Sequence, residues 1–166
     1  MGKTLAVFSF EGMLLRYPVS SDEVDEWIKS DHAVEYPYVP DIPGPEGWDT
    51  IAIEFLERFK KRGCEIIFLS NISGGGEPAG KKITSLLKSL KVEEPTLFRN
   101  DGKREDREYF WREIRYYLQK HQTLRESFDR VELFLYSVDL AKTLAESIIE
   151  NYNITSVVHD LNPSLS

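Results

Sequence analysis

Thr4-Leu-Ala-Val-Phe-Ser-Phe-Glu-Gly-Met-Leu-Leu15 decides the fold. Residues 5–8 form an apolar run with no polar alternation, the pattern of a strand buried on both faces, as in a parallel sheet. The run ends in Ser9-Phe10-Glu11, followed by Gly12. The insert over residues 16–47 leaves the carboxyl end of this strand, where open α/β sheets bind ligands.

Outward from this stretch, apolar runs alternate with amphipathic ones. Residues 65–69 read as a second buried strand, 96–98 as a short one, 131–135 as another and 155–158 as the last. Residues 50–62 read as a helix with Ile51, Phe55, Leu56 and Phe59 on one face, capped by Asp49 or Thr50 and ended by Gly63. Residues 81–90 form a helix with Ile83, Leu86, Leu87 and Leu90 inward, and 104–119 one with Phe110, Ile114, Tyr117 and Leu118 inward. Residues 140–151 form the last helix. Repeated strand–helix–strand order predicts an α/β fold, a central parallel sheet of about five strands with helices on both faces. The strand carrying Ser9 is expected at the centre, between those leading to Ser70 and Ser137.

The rhythm breaks at residues 16–47. This stretch holds a predicted short helix over 22–30 and the Pro-rich run Tyr36-Pro-Tyr-Val-Pro-Asp-Ile-Pro-Gly-Pro45. Proline cannot supply ladder donors, so the run is expected to wrap the surface as an extended, lid-like insert in a single domain spanning 1–166. Trp27, Tyr36 and Tyr38 are its candidate partner-binding anchors. Its acids, Asp22, Glu23, Asp25, Glu26 and Asp31, favour a basic partner surface.

The 166 residues suit one domain with a sizeable core, at 41% apolar and 30% charged. No apolar run reaches membrane-spanning length, and Met1-Gly2-Lys3 leads straight into a strand, so no membrane partner and no secretory signal are expected. A lone cysteine, Cys64, forms no disulfide within the chain and suits a reducing compartment, which places the expectation inside the cell, in cytoplasm or nucleus. The net charge of −7 disfavours broad nucleic-acid binding. His32, His121 and His159 lack metal-ligand spacing, so no metal and no cofactor are expected. Gly75-Gly-Glu-Pro-Ala-Gly-Lys-Lys82 matches Gly-x4-Gly-Lys but lacks the following hydroxyl. It reads more simply as an anion-binding loop using Gly75, Gly76 and Lys81.

The opening motif resembles that of haloacid dehalogenase (HAD) superfamily phosphatases: hydrophobic strand, Asp-x-Asp, then Gly-Thr-Leu. The resemblance implies a HAD-like Rossmannoid three-layer sandwich. In the family the first Asp attacks phosphorus and helps hold magnesium, and the second protonates the leaving group. Here Ser9 and Glu11 stand at those positions and Met13 replaces the Thr. Cys64-Glu-Ile-Ile-Phe-Leu-Ser-Asn71 is similar to the second family motif, whose hydroxyl and backbone amides hold a phosphoryl oxygen. The loop and helix after it, with Leu97-Phe-Arg-Asn100 and Tyr109-Phe-Trp111, resemble the polynucleotide 3′-phosphatase branch and the HAD domains of "Swiss army knife" RNA-repair proteins. By that resemblance Arg99 or Lys103 stands for the family's charge-balancing Lys. Leu133-Phe-Leu-Tyr-Ser-Val-Asp139 stands for its acidic magnesium motif, with Ser137 in place of an acid and Asp139 displaced to cap the next helix.

The resemblance thus implies a vestigial pocket of Ser9, Glu11, Ser70, Asn71, Arg99, Lys103, Ser137 and Asp139, with no confident catalytic residue. The expected function is a pseudophosphatase that binds a protein partner as a scaffold or regulatory module in an RNA-processing setting. The alternative is a divergent magnesium-dependent phosphatase acting on polynucleotide ends or another phosphomonoester.

Overall fold

Strand β1 (Lys3–Ser9) lies at the centre of a five-stranded sheet. A computed structural model of the protein describes residues 2–15, 48–71, 76–100 and 103–161. After β1 come α1 (Thr50–Lys61), β2 (Glu65–Ser70), α2 (Gly76–Ser89), β3 (Thr96–Arg99), α3 (Asp106–Thr123), β4 (Phe128–Phe134), α4 (Val138–Tyr152) and β5 (Thr155–Val158). The strand order is β3-β2-β1-β4-β5 and every pairing is parallel. Val7 pairs with Ile67 on one side and Leu133 on the other. The central place of β1, between the strands leading to Ser70 and Ser137, is as the sequence predicts.

Alternation along β1 sorts its side chains onto two cores. Leu5 and Val7 join Ile67, Leu69, Val131 and Leu133 beneath α3 and α4. Ala6 and Phe8 join Phe68 and Phe134 beneath α1 and α2. Both faces are covered, giving the layered, Rossmann-like arrangement expected of parallel sheets. The second core is rich in rings. Phe8 stacks on Phe134 at 4.4 Å between centroids, and Phe134 stacks on His159 at 4.1 Å. No helix among the described residues is long and apolar enough to cross a membrane.

Several local expectations need correction. In α1 the buried residues are Ala52, Leu56 and Phe59, while Ile51 is exposed, because the sheet-facing stripe is centred one position further along. Asp49 is the cap: its Oδ1 accepts from the Ala52 N–H at 2.9 Å. Helix α2 starts at Gly76 rather than at residue 81. Pro78 is third in that helix, where no intrahelical N–H bond is needed, so a Pro-Gly composition that reads as loop is compatible with a first turn. Strand β4 starts three residues early, at Phe128, and α3 runs four residues further, to Thr123.

Candidate functional site

The carboxyl ends of β1, β2 and β3 meet the start of α3 and the turn after β4. Ser9, the last residue of β1, is fully buried, and its Oγ accepts the Tyr136 N–H at 3.2 Å. The chain then doubles back. Leu15 N–H donates to Phe10 O at 2.8 Å, and Gly12 N–H to Leu15 O at 2.7 Å. Gly12 sits at φ +80°, and a Cβ there would lie 2.6 Å from the Tyr136 Cβ. Both the backbone and the packing demand glycine at this position.

The turn aims Glu11 at the end of β2. Ser70 Oγ donates to Glu11 Oε2 at 3.0 Å, and the Asn71 N–H donates to Oε1 of the same carboxyl. Glu11 is nine-tenths buried. Burial raises its pKa above the ordinary 4.5, against the lowering effect of the Asn71 and Ser70 hydrogen bonds; Asp106 adds a smaller upward push. Ser70 also holds the neighbouring strand end, its carbonyl accepting from the Asn100 N–H at 2.9 Å.

Around this pair lies a ring of polar groups. Partial burial lowers the pKa of the Arg99 guanidinium, while Tyr109 and Glu11 oppose the shift. Burial pushes the Tyr109 hydroxyl up. The Tyr136 hydroxyl donates to Asp106 Oδ2, in the first turn of α3, and burial and that carboxylate both raise its pKa. Asn71 Oδ1 is buried with no hydrogen-bond partner among the described residues. The structure therefore brings together Ser9, Glu11, Ser70, Asn71 and Arg99 of the predicted pocket. It adds Tyr109, Asp106 and Tyr136, which the sequence did not mark as pocket residues. Position alone could have flagged Tyr136, as the residue before a helix cap.

Other predicted residues fall elsewhere or take other roles. Ser137 caps α4, its Oγ accepting from the Leu140 N–H at 3.2 Å. Asp139 is not the cap; it is exposed in the first turn, because Ser137 already sits in the extended conformation one residue before the helix. Lys103 is exposed ahead of α3. Gly76 opens α2 and Lys81 lies more than one turn inside it, so Gly-x4-Gly-Lys is here largely helix rather than a loop wrapped round a phosphate. Gly75, the insert 16–47 and its Trp27, Tyr36 and Tyr38 lie outside the described residues.

Ser9, Glu11 and Ser137, which the resemblance would put at metal positions, do not fit magnesium, which asks for several hard oxygen ligands including carboxylates. Ser9 Oγ and Ser137 Oγ each take a backbone N–H, and both oxygens of Glu11 take protein donors. Among the described residues no group of three or more His, Cys, Asp or Glu side chains could hold a metal ion. The fold and site define an α/β protein with a Rossmann-like parallel sheet and a buried polar cluster at the carboxyl ends of its strands. Compared with known proteins, the chain matches no family model, no curated protein and no solved structure.

Proposed function

We propose that this chain is a HAD-like domain whose phosphatase centre has degenerated and which works as a binding or regulatory module in nucleic-acid processing. One observation carries the reading. The Ser70 hydroxyl and the Asn71 amide, at the positions where the resembling enzymes hold a phosphoryl oxygen, are both spent on the Glu11 carboxyl. A substrate phosphate would have to displace a tethered group that already supplies two acceptor oxygens. If ionised, that group would also repel the phosphate in a poorly solvated site.

The nucleophile position points the same way. Ser9 Oγ accepts a backbone N–H, and none of its contacts among the described residues supplies a general base to activate it. Phosphoryl transfer depends on positioning and charge balance, so a neutral residue in place of the ionised nucleophile removes most of the rate enhancement. The partner is proposed to be a protein, met through the acidic, aromatic insert.

The test is phosphate release by purified protein from 3′- and 5′-phosphorylated oligonucleotides and from an aryl phosphate, with and without magnesium. The expected result is release no faster than in buffer. Magnesium-dependent release that is abolished by Glu11→Gln would overturn the reading in favour of a divergent phosphatase.

A further inference from the structure

A basic groove runs along the outer side of the sheet and meets the Glu11 cluster at Arg99. It has a volume of about 530 Å³ and lies between α2 and the edge strand β3. Lys81, Thr84, Ser85 and Lys88 line one wall. Their spacing of three, four and seven residues puts them on one face of α2, with Lys81 and Lys88 roughly 10 Å apart along the axis. Arg99 and Leu97 alternate along β3 and line the facing wall, with Pro95 at its end. Gly80 lets the two walls approach: a Cβ there would stand 3.1 Å from Arg99 Nη1.

The groove's charge opposes that of the chain. Among the described lining residues, Lys81, Lys88 and Arg99 accompany one acid, Glu77, which sits 3.6 Å from Lys81; Arg99 is also within electrostatic reach of Glu11. The whole chain carries −7. Three cations spread along a line, with two hydroxyls between the lysines, match a short row of anionic oxygens rather than one point charge. No aromatic ring among the described residues lines the groove, so they offer no platform for stacking a base. A long polyanion would extend past the groove onto an acidic molecule and be repelled there. A short one would not.

We propose that the α2–β3 groove is a binding site for a short linear polyphosphate anion, with Lys81, Lys88 and Arg99 as the charged contacts and Thr84 and Ser85 as hydroxyl donors. The groove shares Arg99 with the Glu11 site, but its contacts on α2, Lys81, Thr84, Ser85 and Lys88, belong to the groove alone. Binding is electrostatic and is expected to weaken steeply with salt.

Calorimetric titration of the full chain with inorganic tripolyphosphate at low ionic strength tests this, with inorganic monophosphate and a single-stranded oligonucleotide as comparisons. Tripolyphosphate is expected to bind more tightly than monophosphate. Lys88→Ala is expected to weaken it about fivefold, and Glu77→Gln to tighten it about twofold, at the scale of exposed charge pairs. Lys88 and Glu77 are exposed, so neither substitution threatens the fold. Absence of tripolyphosphate binding, or binding indifferent to both substitutions, would overturn the proposal. Tighter binding of the oligonucleotide would overturn it in favour of a nucleic-acid surface.

Discussion

Glu11 is the residue on which the account turns. Buried carboxyls resist ionisation, and here desolvation outweighs two hydrogen bonds that favour the charged form. The folded-state pKa therefore lies above the unfolded one. The folded state holds the extra proton across that window, so the contribution to stability is complete below about pH 4.5 and is lost as pH rises through the raised value. Glu11→Gln removes this titration, since its amide can accept from Asn71 and donate to Ser70. The melting temperature of wild type relative to Glu11→Gln is expected to fall between pH 4.5 and neutrality. A constant difference across that range would mean that Glu11 ionises as freely in the folded protein as in the unfolded one. Much of this residue scale was legible in advance, because Ser9, Glu11 and Ser70 end buried apolar runs and a strand's end fixes a side chain's place. Asp106, Tyr109 and Tyr136 were not. They come from a helix start and a turn, and only the packed fold brings them to Glu11.

At the scale of elements, β4 and β5 are held by a contact that periodicity does not reveal. Glu132 is a buried carboxylate on β4, and His159, just past β5, places Nε2 2.9 Å from its Oε1. The same imidazole stacks on Phe134, and the backbone N–H of His159 joins the sheet by donating to Leu133 O at 3.0 Å. Arg130, at 3.4 Å, is the other partner of Glu132 and is far more exposed. His159→Ala is expected to cost about 1–3 kcal/mol by leaving a buried acceptor under-satisfied and a ring face unpacked. Differential scanning fluorimetry should register this as a drop of several degrees; an unchanged melting temperature would assign the pairing no structural weight. The strands themselves were legible, because all five are dominated by apolar runs or end in them. The boundaries of α2 and the cap of α4 were not. Pro78 is tolerated in a first helical turn, and Ser137 competes with Asp139 for the cap through backbone conformation that residue type does not reveal.

At the scale of the whole molecule, a parallel α/β sheet gathers its strand ends at one edge, and the sequence places polar residues there. What it places is a set whose members largely bond one another, with Asn71 Oδ1 and the Tyr109 hydroxyl left without a partner among the described residues. Glu11 takes the donors of Ser70 and Asn71, Tyr136 serves Ser9 and Asp106, and Ser137 caps a helix. The layered fold follows from burial patterns and was predictable from them. The pairing of Glu11 with Ser70 and Asn71 was not, because it depends on which donor reaches which acceptor across the sheet. The most direct test is calorimetric titration of inorganic phosphate into the chain with Glu11 intact and with Glu11→Ala. Both proteins carry Lys88→Ala so that the α2–β3 groove contributes little. No binding is expected while Glu11 fills the cradle, and measurable binding once it is removed, to Ser70, Asn71 and the nearby Arg99. Equal phosphate binding by both proteins would contradict this expectation.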